Sequence, residues 1–397
     1  MNIAFVSTMS AAPWGGSEEL WSRAAEAALR EHHTVLASVT EWHELDERLV
    51  RLEQQQMVIH LRKLYSANIT TRVLRRVQSK VGLIRSLEKA ITSFGPRFVC
   101  ISQGGSYDIM HMRWLRDYLI NNNIVFYIVC HNYNPNHHPT DAERGIVVDI
   151  YQRAKRVFFV SNEQCTVIQR QLAHRIANAE IVRNPVNILN KVQLPWPISA
   201  IPQLAMVAGL YIERKGHDIV LEILSQEKWV ARSWHLNLYG DGPDKNYIEA
   251  LIGMYDLGAR VTVHGNVADI ESIWRKNHLL LLPSRLEAAP LVIMEAMLCG
   301  RPVVATAVGT VAEWVEDGYN GFIAPAATSQ LYEAALEQAW ATQEQWPEMG
   351  SRAQRWAQQN NDPDAGNTFL YRMIQLLDND IELNQLGQTQ PVGFQQS

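Results

Sequence analysis

Short apolar runs alternate along the chain with segments whose apolar residues recur at helical spacing. The run "NIAFVS" at residues 2–7 predicts a buried strand, and Leu20, Ala24 and Ala27 place one apolar face on the helix predicted after it. A strand, a glycine turn, a helix and a further strand are typical of the opening of a doubly wound parallel sheet. The later runs "RFVCIS", "IVFYIVCH" and "RVFFVS" extend this pattern. They predict an N-terminal Rossmann-like domain over residues 1–190.

The pattern stops after Asn184 in a proline-rich stretch and starts again at "QLAMVAGL". We interpret the stretch as a linker. The second series of strands and helices predicts another Rossmann-like domain over residues 200–370. Residues 371–397 are expected to form a C-terminal helix, which could pack back on the N-terminal domain, and a flexible tail. Two such α/β domains, with their parallel sheets facing a cleft, would bind ligands outside the carboxyl ends of the strands.

Composition narrows the class of protein. The chain has 397 residues, a hydrophobic fraction of 47% and a net charge of −5. Its four cysteines lie far apart, which favours reduced thiols in a cytoplasmic protein. The apolar runs are too short for a membrane span or a secretory leader. The mild acidity argues against nucleic acid as a partner.

The stretch "SRLEAAPLVIMEAML" places Glu287 and Glu295 on either side of Pro290. Proline suits the start of a helix, so Glu287 is predicted in a loop and Glu295 inside the helix. Free backbone N–H groups at a helix start form an anion site. Carboxylates beside it make sense if they accept hydrogen bonds from sugar hydroxyls. A nucleotide-sugar has the matching order of ribose, pyrophosphate and sugar. The alternative is that both glutamates are there by chance and favour the helix dipole.

The surrounding motifs carry a resemblance. The Glu-x7-Glu element at Glu287 and Glu295, the sequel "VGTVAEWVEDGYNGFIAP" and the upstream runs "GLYIERKGHDIVLEIL" and "HLNLYGDGP" appear in order. Over about Gln203 to Pro325 the chain resembles retaining glycosyltransferases of family 4, which have the GT-B fold. The resemblance implies transfer of a hexose, with glucose from UDP-glucose the first choice, to a saccharide or lipid-linked saccharide acceptor. It implies polysaccharide or glycolipid biosynthesis without a cofactor.

The resemblance also assigns residues to roles. In the catalytic role it places His131, Lys215 and Glu287. The acceptor side would be formed by Trp14 and Gly15. The residues expected to bind the donor are Gly16, Gly209, Arg214, Lys215, Asn266, Glu287, Ala289, Pro290, Leu291, Val292 and Glu295. Each has an ordinary structural alternative: a surface lysine, a turn glycine, a packing tryptophan or a core histidine.

Three positions depart from the family pattern. Leu210 stands where the family usually has an arginine, and Arg214 could substitute for it. Ala288 and Thr310 each replace a common glycine. Two acidic triplets, at residues 362–364 and 378–380, are interpreted as C-terminal loops, so metal independence is predicted.

Residues 62–97 hold nine basic residues and one acidic residue, Glu88. A helical stripe is predicted at Leu74, Val77, Val81, Ile84, Leu87 and Ile91. A basic amphipathic helix is typical of peripheral contact with a membrane, here its inner face, and would suit a lipid-linked acceptor. A core-packed helix with a solvated basic face is the alternative, and both stay open here.

Two other functions remain compatible with the sequence. A nucleotide-sugar epimerase can share the two-domain fold and would need no acceptor. A non-catalytic nucleotide-sugar-binding subunit would bind donor without turnover, and the changes at Leu210, Ala288 and Thr310 keep it open. The base, the sugar, the acceptor, the linkage formed and the oligomeric state are not fixed by the sequence.

Overall fold

The computed structural model describes residues 1–10, 13–63, 87–188 and 194–387, with side chains through residue 378. The chain divides into two compact units. The N-terminal unit comprises residues 1–160, 164–185 and the C-terminal segment from 364 onward. The second unit comprises residues 161–163 and 186–363.

The N-terminal unit is built on a parallel sheet of seven strands in the order β3-β2-β1-β4-β5-β6-β7. The central strand β4 is buried along its whole length and β1 from Ile3 onward, as continuous apolar runs predict for a sheet covered on both faces. The strands β3 and β7 had no counterpart in the sequence analysis, because each is short and only partly buried. The strands are β1 (Asn2–Ser7), β2 (Thr34–Thr40), β3 (Val58–Arg62), β4 (Phe98–Gln103), β5 (Val125–Cys130), β6 (Arg156–Phe159) and β7 (Ala179–Ile181).

A helix lies between each pair of consecutive strands in the chain, as parallel pairing requires. The helix α5 begins with a capping box between Thr140 and Glu143. Among the described residues of this region the helices are α1 (Gly16–Arg30), α2 (Glu47–Gln54), α3 (Leu87–Phe94), α4 (Arg113–Asn121), α5 (Asp141–Arg153) and α6 (Asn162–Leu172).

The second unit repeats this architecture with a parallel sheet of six strands in the order β10-β9-β8-β11-β12-β13. Its strands are β8 (Gln203–Val207), β9 (His235–Tyr239), β10 (Val261–Gly265), β11 (Leu279–Leu282), β12 (Val303–Thr306) and β13 (Phe322–Ala324). Its described helices are α7 (Ile212–Lys215), α8 (His217–Leu224), α9 (Glu227–Val230), α10 (Lys245–Met254), α11 (Ile270–Trp274), α12 (Leu291–Leu298), α13 (Val311–Trp314), α14 (Ser329–Ala341) and α15 (Trp346–Asn360).

The last helix, α16 (Ala365–Gly387), belongs to the N-terminal unit and packs along α1. It begins at Ala365 rather than at 371, and it contains the acidic triplet at 378–380 that we interpreted as a loop. Phe369 and Met373 are buried in the core of the N-terminal unit. Tyr127 donates a 2.6 Å hydrogen bond to the Met373 carbonyl, so a residue of β5 anchors this helix. The expected tail at 388–397 lies outside the described residues.

The basic segment divides into parts of different structure. Residues 64–86, with most of the predicted stripe, lie outside the described residues. Arg62 ends β3, and its guanidinium donates to the Ser38 carbonyl and hydroxyl at 2.8 Å and to the Ser7 carbonyl, so it is not part of an exposed basic face. Ile91 is fully buried in α3. None of the described helices is both long and apolar enough to cross a membrane.

Candidate functional site

A loop after the buried strand β11 carries the first of the two predicted glutamates. Glu287 is only 7% exposed. Its Oε1 accepts a 2.8 Å hydrogen bond from Ser284 Oγ and lies 2.5 Å from Lys215 Nζ. Within the described chain, Glu287 Oε2 receives no hydrogen bond, and Lys215 makes no other polar contact. An ammonium has three donors, so two remain for a ligand.

The helix α12 begins beside this loop. Pro290 is its N-cap residue and makes no side-chain capping bond. In the described residues no acceptor meets the amides of Leu291 and Val292, nor those of Ala288 and Ala289. Four neighbouring N–H groups at a helix start favour an anion.

Glu295 lies in the second turn of α12 and is 7% exposed. The loop and the helix therefore place two buried carboxylates on either side of the uncommitted amides, as the sequence predicts. Gly309 supports the loop from the next strand connection. Its φ is +59°, and a Cβ there would fall 2.4 Å from the Ala288 carbonyl oxygen.

The turn between α7 and α8 brings the predicted cations to the same loop. Gly216 has a φ of +68°, and a Cβ at this position would lie 2.2 Å from the Pro283 carbonyl oxygen. Only glycine allows the turn and the loop to approach this closely. Arg214 Nε is buried and has no hydrogen-bond partner in the described residues. Arg214 also forms no ion pair within the described part of the chain, and it lies on the same short helix as Lys215.

Leu210 itself is a core residue. It is fully buried in the apolar core of the second unit, and its backbone pairs with the loop after β9 through Asp241 and Asp244. Gly209 precedes it, and a Cβ there would meet the Tyr211 ring at 3.0 Å. The missing arginine is thus not replaced at its own position, and Arg214 is the nearest cation in the sequence.

Asn266 follows β10 and is exposed. The preceding glycine, Gly265, has a φ of +71° at a break in the strand register. His264 stacks on Tyr239 at 4.5 Å between ring centroids, and its Nε2 lies 2.8 Å from Asn237 Oδ1. The loop after β10 is therefore a fixed strand end with an exposed amide side chain.

Two buried polar groups of this unit were not assigned by the sequence analysis. Thr310, whose departure from the family glycine was noticed, is 2% exposed and its Oγ1 has no partner in the described residues. His217, directly after Gly216, is 1% exposed, and both its ring nitrogens lack a partner there. Burial lowers the pKa of His217 to about 4, and the charge of Lys215 adds to the shift. Sequence spacing carries no signal for such burial.

His131 belongs to the N-terminal unit and follows β5. It is 8% exposed, and neither ring nitrogen has a hydrogen-bond partner among the described residues. Burial lowers its pKa to about 4. His131 is thus neutral at pH 7, which suits hydrogen bonding rather than charge pairing.

Trp14 and the two glycines before α1 also belong to the N-terminal unit. Trp14 donates to Glu19 Oε1 at 2.8 Å, and the Arg48 guanidinium lies 4.9 Å from its ring centroid. The indole is therefore committed to packing on one face. Gly15 is the N-cap of α1 with an extended backbone, φ −160°, and Gly16 is the first helical residue.

The chain superimposes on solved glycosyltransferases of the GT-B fold, so its fold is GT-B. HepE of Anabaena, solved with UDP and glucose, has a TM-score of 0.69 and 20% identity over 94% of this chain and 99% of that chain. Sucrose-phosphate synthase of Thermosynechococcus elongatus has a TM-score of 0.73 and 16% identity over 96% of this chain and 100% of that chain.

The match to a protein-family model lies within the second unit. Residues 201–341 match the family model described as Glycosyl transferases group 1. An uncharacterized glycosyltransferase of Methanocaldococcus jannaschii is 32% identical over 121 residues, which are 30% of this chain and 33% of the relative. Alpha-D-kanosaminyltransferase of Streptomyces kanamyceticus is 33% identical over 124 residues, 31% of this chain and 32% of the relative. The match thus spans about a third of the length of these relatives.

Proposed function

We propose that this chain is a retaining glycosyltransferase of family 4. It would move a hexose from a nucleotide donor to a saccharide or lipid-linked saccharide acceptor in polysaccharide or glycolipid biosynthesis. Glucose from UDP-glucose is the proposed donor group, in line with the UDP and glucose bound by HepE of Anabaena. The family model over residues 201–341 covers the unit that would hold the donor.

One observation carries this proposal. Lys215 and Glu287 form a partly buried ion pair beside the uncommitted amides at the start of α12. A diphosphate would take the amides and the two remaining Lys215 donors, while Glu287 Oε2 and Glu295 would accept hydrogen bonds from sugar and ribose hydroxyls. Hydrogen bonds to charged groups contribute about 1.5–3 kcal/mol each.

In the proposed reaction, the bond between the anomeric carbon and the diphosphate oxygen breaks. The acceptor oxygen bonds to the same face of the anomeric carbon, so configuration is retained. The acceptor proton passes to the departing diphosphate, and the products are the glycosylated acceptor and the nucleoside diphosphate. Lys215, Arg214 and the α12 amides would stabilise the developing negative charge. With these groups present we propose that no metal is needed.

Two further points remain proposals. His131 would position the reacting sugar as a neutral hydrogen-bonding group, and Trp14 with Gly15 would form part of the acceptor side. The basic residues of segment 62–97 other than Arg62 would provide a peripheral contact with the cytoplasmic face of a membrane. Arg62 is excluded from that role by its bonds to Ser38 and Ser7.

A non-catalytic donor-binding subunit is the second candidate. The burial of Leu210 in the core favours it, because a cation of the family pattern is absent at that place. The epimerase would convert one nucleotide-sugar into another without releasing nucleotide.

The test is incubation of the protein with UDP-glucose, UDP-galactose and GDP-mannose while release of nucleotide is followed, with and without a panel of saccharide acceptors. We expect UDP release from UDP-glucose that continues in EDTA. Glu287→Gln and Glu295→Gln should each reduce kcat/KM at least tenfold, whereas Glu348→Gln, which breaks an exposed pair with Arg352, should not. Binding of UDP-glucose without turnover in any condition would favour the subunit instead.

A further inference from the structure

The side chain of Arg285 joins the loop after β11 to the two helices that begin at Ile212 and His217. Its guanidinium donates to Asp218 Oδ1 at 2.9 Å and to Asp218 Oδ2 at 2.7 Å, a bidentate pair. The same Nη1 donates to the Ile212 carbonyl at 2.8 Å. One residue therefore binds the first residue of α7 and the first turn of α8.

The backbone of Arg285 makes a second connection. Its amide donates to the Arg214 carbonyl at 2.8 Å, and the amide of Leu286 donates to the same oxygen at 3.3 Å. With the close approach of Gly216 to Pro283, these contacts fix the loop against the turn. Lys215 lies inside that turn, and Glu287 lies two residues after Arg285.

We propose that Arg285 and Asp218 are positioning residues that fix the place of the Lys215 ammonium relative to Glu287 and the α12 amides. This inference rests on the function proposed above. A lysine ammonium is a point charge on a flexible four-carbon stem, so its ion pair alone does not fix its position. The position of the ammonium also depends on the backbone segments that carry Lys215 and Glu287. The bidentate pair between Arg285 and Asp218 joins these two segments.

Arg285 is not itself a ligand of the diphosphate in this proposal. Both oxygens of Asp218 face its guanidinium, and the pKa of Arg285 is raised by that pair, so its charge is already compensated. Arg214 and Lys215 differ, because the described residues leave Arg214 Nε without any partner and leave Lys215 with donors to spare.

The experiment compares the binding of UDP with that of uridine by calorimetry. The two probes differ only in the diphosphate, so the ratio of their affinities reports the diphosphate site. Arg285→Lys keeps the charge but cannot form the bidentate pair. We expect about a tenfold loss of UDP affinity with uridine affinity unchanged, which is about 1.4 kcal/mol. Asp218→Asn should act in the same direction and provides a second variant should the first not fold.

A double-mutant cycle separates positioning from direct contact. In a Lys215→Met background the cation to be positioned is gone, so Arg285→Lys should cause no further loss of UDP affinity. A matched control is Arg372→Lys, which breaks a bidentate pair of similar exposure with Glu180 in the N-terminal unit. It should lower the thermal midpoint about as much and leave UDP affinity unchanged.

Three results would overturn the inference. UDP affinity of Arg285→Lys and Asp218→Asn equal to that of the native protein would show that the pair positions nothing. Additive losses with Lys215→Met would make Arg285 an independent ligand. Equal losses of UDP and uridine affinity would indicate general damage to the unit. Native protein that binds UDP no better than uridine would instead overturn the proposed function, and the inference with it.

Discussion

The two sheets share a topology, but the charged groups at their carboxyl ends differ in how they are compensated. In the N-terminal unit, Glu18 is 4% exposed and accepts hydrogen bonds of 2.7 Å from both Ser7 Oγ and Trp21 Nε1. Asp108 accepts from Thr8 Oγ1 at 2.5 Å and from the Gly105 amide at 2.9 Å. The carboxylates of this end are satisfied by their own unit.

At the carboxyl end of the second unit's sheet, several polar groups lack hydrogen-bond partners. The α12 amides, the Arg214 Nε and one oxygen of Glu287 have no partner in the described residues, and Lys215 has only one. Buried polar groups in folded proteins are almost always paired, so unpaired ones clustered at one strand end indicate a ligand. Carboxylates at the end of one doubly wound sheet can thus be satisfied within their own unit, while charged groups at the corresponding end of another remain available to a ligand.

Removal of the Lys215 cation, at the carboxyl end of the second unit's sheet, should have the largest effect. Lys215→Met is expected to reduce kcat for UDP release from UDP-glucose by about 100- to 1,000-fold, because a preorganised donor to developing charge is lost. Lys228→Met is the matched control, since Lys228 pairs with Glu333 and Glu337 in the same unit. Steady-state kinetics of both variants check the prediction. A native-like kcat for Lys215→Met would show that this end does not stabilise the leaving group.

The close approach of Gly216 to Pro283 predicts that substitution of this glycine causes a large loss of stability. Gly216→Ala would add positive-φ strain and place a Cβ 2.2 Å from the Pro283 oxygen, so we expect about 2–4 kcal/mol of destabilisation. Gly318→Ala has a similar φ of +73° but nothing within 4 Å, and should cost only about 1 kcal/mol. Urea unfolding of both variants measures the difference. Equal losses would contradict the close packing of the turn on the loop.

A smaller effect is expected on acidification. The pKa of His131 and that of His217 are each lowered to about 4 by burial, against an ordinary value near 6.5. The unfolded chain therefore binds these protons below about pH 6.5, while the folded chain binds them only near pH 4. Their contribution to stability is constant above that range and decreases as the pH falls through it, by roughly 1 kcal/mol for each histidine at pH 5.5.

Thermal or urea unfolding at pH 7.5 and pH 5.5 checks this dependence. His131→Gln and His217→Gln should each reduce the pH dependence, the first in the N-terminal unit and the second in the other. His32→Gln, at an exposed histidine in the turn after α1, is the matched control. If both histidine variants keep the native pH dependence of stability, the folded protein protonates these two rings as readily as the unfolded chain does.

Much of this molecule could be predicted from its sequence. Apolar runs and helical spacing gave the two α/β units, because a strand buried on both faces must be apolar throughout. The spacing around Pro290 predicted a loop carboxylate, a helix start and a second carboxylate in the helix. These features are local: each depends on residues within one or two helical turns. The short strands β3, β7 and β13 were missed because their apolar runs are too brief to stand out.

Tertiary packing determines which groups meet and which are left without a hydrogen-bond partner. Lys215 and Glu287 are far apart in the chain, and their contact depends on the Gly216 turn fitting against Pro283. The sequence left open what stands at Leu210 in place of the family arginine, and packing makes this leucine a core residue. The sequence assigned Trp14 to the acceptor side, and the tertiary structure adds that Arg48 lies over one face of its ring. Local pattern fixes which way a side chain faces within its own element. The partner it meets depends on distant segments packed together by burial of apolar surface, which no local pattern contains.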